Sequence, residues 1–298
     1  MAKKIFTALA VIMTFLAPGL ALGGEVKANK LFGSMQSGSS QAPKVIGFYS
    51  KGCLAGSVQL KETGPTWQAM RLSRNRHWGH PSLIEFIERL SSRAAELGWK
   101  GLYVGDLSQP RGGPMTSGHA SHQVGLDVDL WMLPANRLDL TRQEREEISS
   151  VAVRTPDQKS VNGNWTRTHY EILKSAASDP AVDRIFVAAA IKKEMCETAG
   201  KNRMWLQRIR PLYGHSHHFH VRLKCPKGED SCVTQTPTVA ELSKGGDGCD
   251  ETLEWWLTAY LEALKKPPPK NPPPRKRGYR DYVMADLPRE CANVLGAS

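Results

Sequence analysis

The chain has 298 residues, of which 40% are hydrophobic and 23% charged. Such a composition fits one large globular domain or two small ones with a sizeable core, and it excludes a fibrous or intrinsically disordered chain. The formal net charge of +11 points to an anionic partner.

Residues 1–23 do not belong to the globule. Lys3 and Lys4 precede an apolar run from Ile5 to Leu16, and Pro18-Gly19 breaks it. Gly19-Leu20-Ala21 and Ala21-Leu22-Gly23 both offer small residues for cleavage, so the segment is laid out as a secretory signal peptide. A membrane anchor is the alternative, but the run is well short of the ~20 residues a spanning helix needs. No later segment is long and apolar enough to span, and stable membrane insertion is not expected. Outside the cytoplasm a basic protein meets wall peptides, lipid headgroups and polysaccharides, so nucleic acid is not expected as a partner. Export also changes how Cys53, Cys196, Cys225, Cys232, Cys249 and Cys291 read. An even count in an exported chain favours disulfides over metal thiolates, and no two of these residues form a CxxC pair. Cys225 and Cys232 bracket a short polar loop and could close it locally; spacing leaves the other pairings open.

Along the mature chain, residues 25–42 form a Ser-, Gly- and Lys-rich lead-in, and Val45–Tyr49 reads as a short strand. Pro81–Gly98 is the clearest helix. Leu83, Ile84, Ile87, Leu90, Ala94 and Leu97 recur at helical spacing, Ser82 and Glu85 have the spacing of a capping box, and Gly98 stops the run. Strands are expected over Gly101–Leu107, Leu126–Leu130, Val182–Val187 and His217–Leu223. Helices are expected over Thr141–Ser150, with Thr141 and Glu144 as a capping box, over Thr166–Ala177, in a segment ending near Gly200, and over Glu251–Leu264. Pro267–Pro274 reads as a polyproline spacer. Residues 24–264 would then be the main domain and residues 265–298 a basic, proline-rich tail. Mixed helices and short strands without regular βαβ alternation predict an α+β fold, an antiparallel sheet core flanked by helices.

Two segments concentrate six of the nine histidines. One runs Ser117-Gly118-His119-Ala120-Ser121-His122-Gln123-Val124-Gly125-Leu126-Asp127-Val128-Asp129, the other Gly214-His215-Ser216-His217-His218-Phe219-His220-Val221. Histidine is the commonest zinc ligand, and a catalytic zinc typically takes three protein groups and leaves a position for water. Side chains two apart on a strand share a face. His218 and His220 therefore point together, as do Asp127 and Asp129, with apolar residues behind both pairs. Adjacent strands carrying His-x-His and Asp-x-Asp could build a polar site, with His122 approaching from the loop before the Asp strand. Asp127 could serve only to orient a ligand or cap the turn, and His119 only to hydrogen-bond the loop. His169, alone on its element, reads as structural.

These two segments resemble the penicillin-insensitive murein endopeptidase family. It is part of a wider zinc peptidase group with His-x6-Asp and His-x-His motifs, which includes lysostaphin-type enzymes and D-Ala-D-Ala carboxypeptidases. Arg74-Asn75-Arg76-His77-Trp78-Gly79-His80-Pro81, Gly105-Asp106-Leu107-Ser108-Gln109-Pro110-Arg111-Gly112-Gly113-Pro114 and Arg184-Ile185-Phe186-Val187 match as well. The likeness spans roughly residues 45 to 250. It implies a zinc endopeptidase cutting D-alanyl-meso-diaminopimelyl cross-links of peptidoglycan in the periplasm. It assigns His122, Asp129 and His220 as zinc ligands, His218 beside the attacking water, and His119 and His215 to the cleft, with His119 a further candidate ligand. It also pairs Cys53 with Cys291, Cys196 with Cys249 and Cys225 with Cys232, which would strap the tail back onto the domain. A homodimer is compatible with the sequence.

His218 is the candidate general base and then acid, since an ordinary histidine pKa of ~6.5 suits proton transfer near neutrality. His215 could instead donate to the oxyanion. No HExxH helix supplies a Glu base, and no Ser-x-x-Lys or Gly-x-Ser-x-Gly supports serine catalysis. A wall-binding or zinc-storing module without catalysis, and a carboxypeptidase acting on terminal D-Ala, are the competing functions. Arg111, beside the histidine loop, is a candidate contact for a substrate carboxylate, or else a brace for the Gly112-Gly113 turn.

Overall fold

A computed structural model describes residues 25–298, and the signal-peptide expectation lies outside them. Helix α1 (Ala28–Gly33) precedes a hairpin of β1 (Lys44–Phe48) and β2 (Lys51–Ala55). β3 (Val58–Gln59), β4 (Trp67–Ala69) and β5 (Trp78–Gly79) follow, and β3 pairs with β5.

Helix α2 (Pro81–Glu96) buries Leu83, Phe86, Ile87, Leu90 and Ala94. The expected capping box at Ser82 and Glu85 does not form. Pro81 takes the first helical position, where its fixed φ and missing N–H cost nothing. His80 therefore becomes the N-cap, and its Nδ1 accepts from the Ser82 N–H at 3.2 Å.

Next come β6 (Leu102–Val104), β7 (Asp127–Trp131), α3 (Arg142–Glu147), α4 (Arg167–Ser178), β8 (Val182–Val187), α5 (Ala189–Thr198), β9 (Ile209–Pro211) and β10 (His218–Leu223). Thr141 caps α3 in the expected box with Glu144. His169 completes a second box with Thr166 and donates from Nε2 to the Met132 carbonyl at 2.8 Å, a structural role.

The main sheet runs β4-β6-β7-β10-β8-β9. Its centre is antiparallel, as expected, while the outer pairs β4/β6 and β8/β9 are parallel. In the β7–β10 ladder, His220 lies opposite Asp129 and Arg222 opposite Asp127. Phe219 and Val221 lie opposite Leu130 and Val128. The apolar set joins Phe86, Leu173 and Ile185 in one continuous core, at about 1.5–3 kcal/mol for each fully buried side chain. The polar set is left to the other face.

The remaining helices are α6 (Val239–Leu242), α7 (Glu251–Leu257), α8 (Ala259–Lys265) and α9 (Glu290–Gly296). The single helix expected over Glu251–Leu264 is broken at Thr258, whose backbone leaves the helical region (φ −126°, ψ −88°). The Thr258 hydroxyl donates to the Glu254 carbonyl at 2.7 Å, a local bond that competes with helix continuation.

Beyond the proline-rich stretch the chain packs back. Leu287, Cys291 and Val294 form a small second core with Phe32, Ile46 and Cys53. Disulfides join Cys53 to Cys291, Cys196 to Cys249 and Cys225 to Cys232, the same pairs that the resemblance implies. Arg111 takes part in this docking. Its Nη1 donates to the carbonyls of Val294, Leu295 and Ala297 at 2.9, 2.8 and 2.6 Å, so it caps the C-terminal end of α9. Arg111 is buried there, so of the two readings the sequence offered, its role is structural, though the guanidinium braces α9 rather than the Gly112-Gly113 turn.

Candidate metal centre

Asp129 and His220 meet across the β7–β10 ladder, and the loop before β7 delivers the third group. His122 sits in that loop with left-handed backbone (φ 66°), an unusual state for a bulky residue. Two bonds hold it. The His122 N–H donates to Asp127 Oδ2 at 3.0 Å, and the neighbouring Gln123 amide donates to the carbonyls of Ser50 and Ala120 at 2.8 and 2.9 Å. The His122 ring is fully buried against His220, with ring centroids 4.6 Å apart.

The polar atoms converge on Asp129. His122 Nε2 lies 3.5 Å from its Oδ1, His220 Nδ1 3.3 Å and His218 Nε2 3.7 Å, while His119 Nε2 lies 3.4 Å from Oδ2. Ligand atoms of His119, His122 and Asp129 all fall within 4.8 Å of one another. Both ring nitrogens of His122 and Oδ1 of Asp129 are buried without a hydrogen-bond partner. An unpaired buried polar atom costs about 1–3 kcal/mol, and native proteins rarely leave one. Two of them, His122 Nε2 and Asp129 Oδ1, face each other at 3.5 Å, as the ligands of a cation would, and the imidazole and carboxylate donors suit a borderline metal such as zinc.

A model of the family described as penicillin-insensitive murein endopeptidase matches residues 45–296. The chain belongs to that family. Relatives carrying the same description include a Haemophilus influenzae protein, 40% identical over 77% of this chain and 78% of its own length. An Escherichia coli K12 protein is 39% identical over 80% of this chain and 84% of its own, and a Klebsiella pneumoniae protein 38% over the same shares.

The structure places residues of the blocks 74–81 and 105–114 beside the histidines. Asp106 accepts from Arg74, Arg76 and His119 at 3.1, 3.0 and 3.1 Å. Burial pushes its carboxyl up, but His119 and the two guanidiniums outweigh burial and hold it down at about 2. Asp127 is an anionic hub on the other side. It takes Arg222 Nε and Nη2 at 2.7 and 3.2 Å and His220 Nε2 at 3.0 Å. Because the carboxylate can only accept, His220 carries a proton on Nε2, which leaves Nδ1, 3.3 Å from Asp129 Oδ1, as the atom that would offer its lone pair to a metal. Asp127 therefore both orients a histidine and holds the turn.

His218 lines a cleft of about 410 Å³ with Arg71, Arg74, Asp106, Trp131 and Ser150. Burial lowers its pKa below the usual histidine value. His215 does not line that cleft. It donates from Nδ1 to the Tyr213 carbonyl at 2.9 Å, and burial followed by its neighbours His218 and His220 lowers its pKa to about 4. Asp106, Arg71 and Arg74 had no assigned role in the sequence. The signal was there in the Arg74-Asn75-Arg76 and Gly105-Asp106 blocks, but nothing in their spacing places them beside the histidines.

Proposed function

We propose that this family member is an exported zinc metallo-endopeptidase that hydrolyses D-alanyl-meso-diaminopimelyl cross-links between peptidoglycan stem peptides in the periplasm. The observation that carries the metal part is His122, fully buried with both ring nitrogens unpaired beside the unpaired Oδ1 of Asp129. The substrate part rests on the shared description of the family and its relatives. The periplasmic location rests on the layout of residues 1–23 and on that substrate. Among the described residues no helix is long and apolar enough to cross a membrane.

His122, Asp129 and His220 would hold the zinc. His119 is the other candidate ligand, but its Nε2 is also the atom bonded to Asp106, so we assign it to the wall of the site. When bound, zinc supplies Lewis acidity, polarising a carbonyl and making water a nucleophile near neutral pH. His218, held neutral by burial, accepts the proton of the attacking water and passes it to the departing amine. His215 in its neutral tautomer presents a lone pair at Nε2, so it can donate to a developing oxyanion only after taking up a proton.

Mass spectrometry of muropeptides tests the reading. Cross-linked dimers should fall to monomers with the purified protein, persist after chelation, and be cut again once zinc is returned. Dimers that persist with the zinc-loaded protein while it still pulls down with the polymer would make it a binding module instead.

A further inference from the structure

The cleft beside His218 carries positive charge that the reaction chemistry does not use. The turn Leu72–Arg74 delivers Arg71 and Arg74 to its rim. Arg71 and Asn75, which flank the turn, both have left-handed backbone, at φ 58° and 49°. Asn adopts this region readily, but a long side chain such as that of Arg71 rarely does, and folds tolerate it chiefly where a side chain must be aimed. The Arg71 guanidinium donates to the Ile148 carbonyl at 2.8 Å and lies 5.6 Å from the centre of the Trp131 ring. Among the described residues no carboxylate pairs with it. Arg74 and Arg76 share the single carboxylate of Asp106, which His119 also engages. Two guanidiniums thus face one carboxylate, and Arg71 adds a further positive charge that no carboxylate pairs with; the other carboxylate of the cleft, Asp129, is turned to the histidines.

We propose that Arg71, backed by Arg74, is a carboxylate-binding subsite that recognises a free carboxylate of the stem peptide. The inference rests on the endopeptidase reading for its substrate class. A guanidinium fork matches a carboxylate with two parallel N–H donors, and one braced against Trp131 and the Ile148 carbonyl loses little freedom on binding. The subsite selects peptides by charge rather than by side-chain shape. It takes over the contact that the sequence suggested for Arg111, which is spent on α9.

Calorimetry with an uncross-linked stem tetrapeptide tests this without turnover. Three forms are compared: free, amidated at the diaminopimelyl carboxylate, and amidated at the terminal carboxylate. One amidation should weaken binding to the wild-type protein about 10- to 100-fold, the value of a charge-assisted hydrogen bond, and its position identifies which carboxylate is read. Arg71→Ala should bind the free peptide as weakly as the wild type binds that amide and should no longer distinguish the forms. Arg71→Lys, which keeps the charge but loses the fork, should fall between. Equal wild-type affinity for all three forms overturns the proposal, as does full discrimination by Arg71→Ala. The amidation arm needs no substitution, so it decides the matter even if a variant does not fold. If the carboxylate is read as expected but cross-linked dimers remain uncut by the zinc-loaded protein, the subsite stands and the endopeptidase reading fails.

Discussion

The two faces of the β7–β10 ladder are buried to nearly the same extent and do opposite work. On one face Val128, Leu130, Phe219 and Val221 are at most 2% exposed; on the other Asp127, Asp129, His220 and Arg222 are at most 5% exposed. Removing the first set from water stabilises the fold in proportion to apolar area. Removing the second costs free energy unless every charge and lone pair finds a partner. Most do: Arg222 grips Asp127 with two nitrogens, and Asp127 takes the His220 proton. Around this ladder the exceptions are His122 and Asp129; elsewhere Asn29, Ser108 and Arg203 each leave one buried side-chain atom without a hydrogen-bond partner. Burial therefore does not distinguish a site from a core in this molecule; unsatisfied atoms on two residues that face each other do.

The largest expected effect is on the polar face. His122→Ala and Asp129→Ala should each lose bound zinc and lower kcat/KM roughly 1000-fold or more, since the metal is worth several kcal/mol to the transition state. Elemental analysis alongside muropeptide turnover checks this, and a full zinc complement in both variants would remove these residues from the ligand set. Next comes the apolar face. Phe219→Ala should lower the unfolding free energy by about 3–5 kcal/mol in urea titrations and leave the zinc content of the folded protein intact. If zinc is lost as well, the two faces are not energetically separable.

Asp127→Asn tests the layer between ligand and scaffold. Metal affinity should drop about 10- to 100-fold in competition titrations, because the amide orients His220 less firmly; an unchanged affinity would reduce Asp127 to a turn cap. The smallest effect is expected away from the sheet. Arg111→Ala should cost about 1–2 kcal/mol of stability through its bonds to α9 and leave kcat/KM unchanged. A raised KM would restore the substrate contact that its place in the sequence suggested.

Spacing alone made parts of this legible. Asp-x-Asp and His-x-His each put two side chains on one face, because successive residues of a strand alternate, and the apolar residues between them had to face a core. The capping of α3 and the apolar stripe of α2 follow from equally local rules. Where local signals competed, the reading failed. Pro81 displaced the box at Ser82, and Thr258 interrupted a helix whose apolar spacing looked continuous.

What the sequence by itself determined is therefore short-range: which side chains share a face, which loops carry histidines, and that the cysteines come in an even number. That His220 meets Asp127, 93 residues away, was beyond spacing, as were the burial of His122, the neutralisation of Asp106 by two arginines and the diversion of Arg111 to α9. Those contacts depend on the order of strands in the sheet and on the return of the C-terminal segment through Cys291. Periodicity comes from the covalent geometry of a few neighbouring residues. Ligand convergence and unpaired lone pairs arise only when distant segments exclude water together.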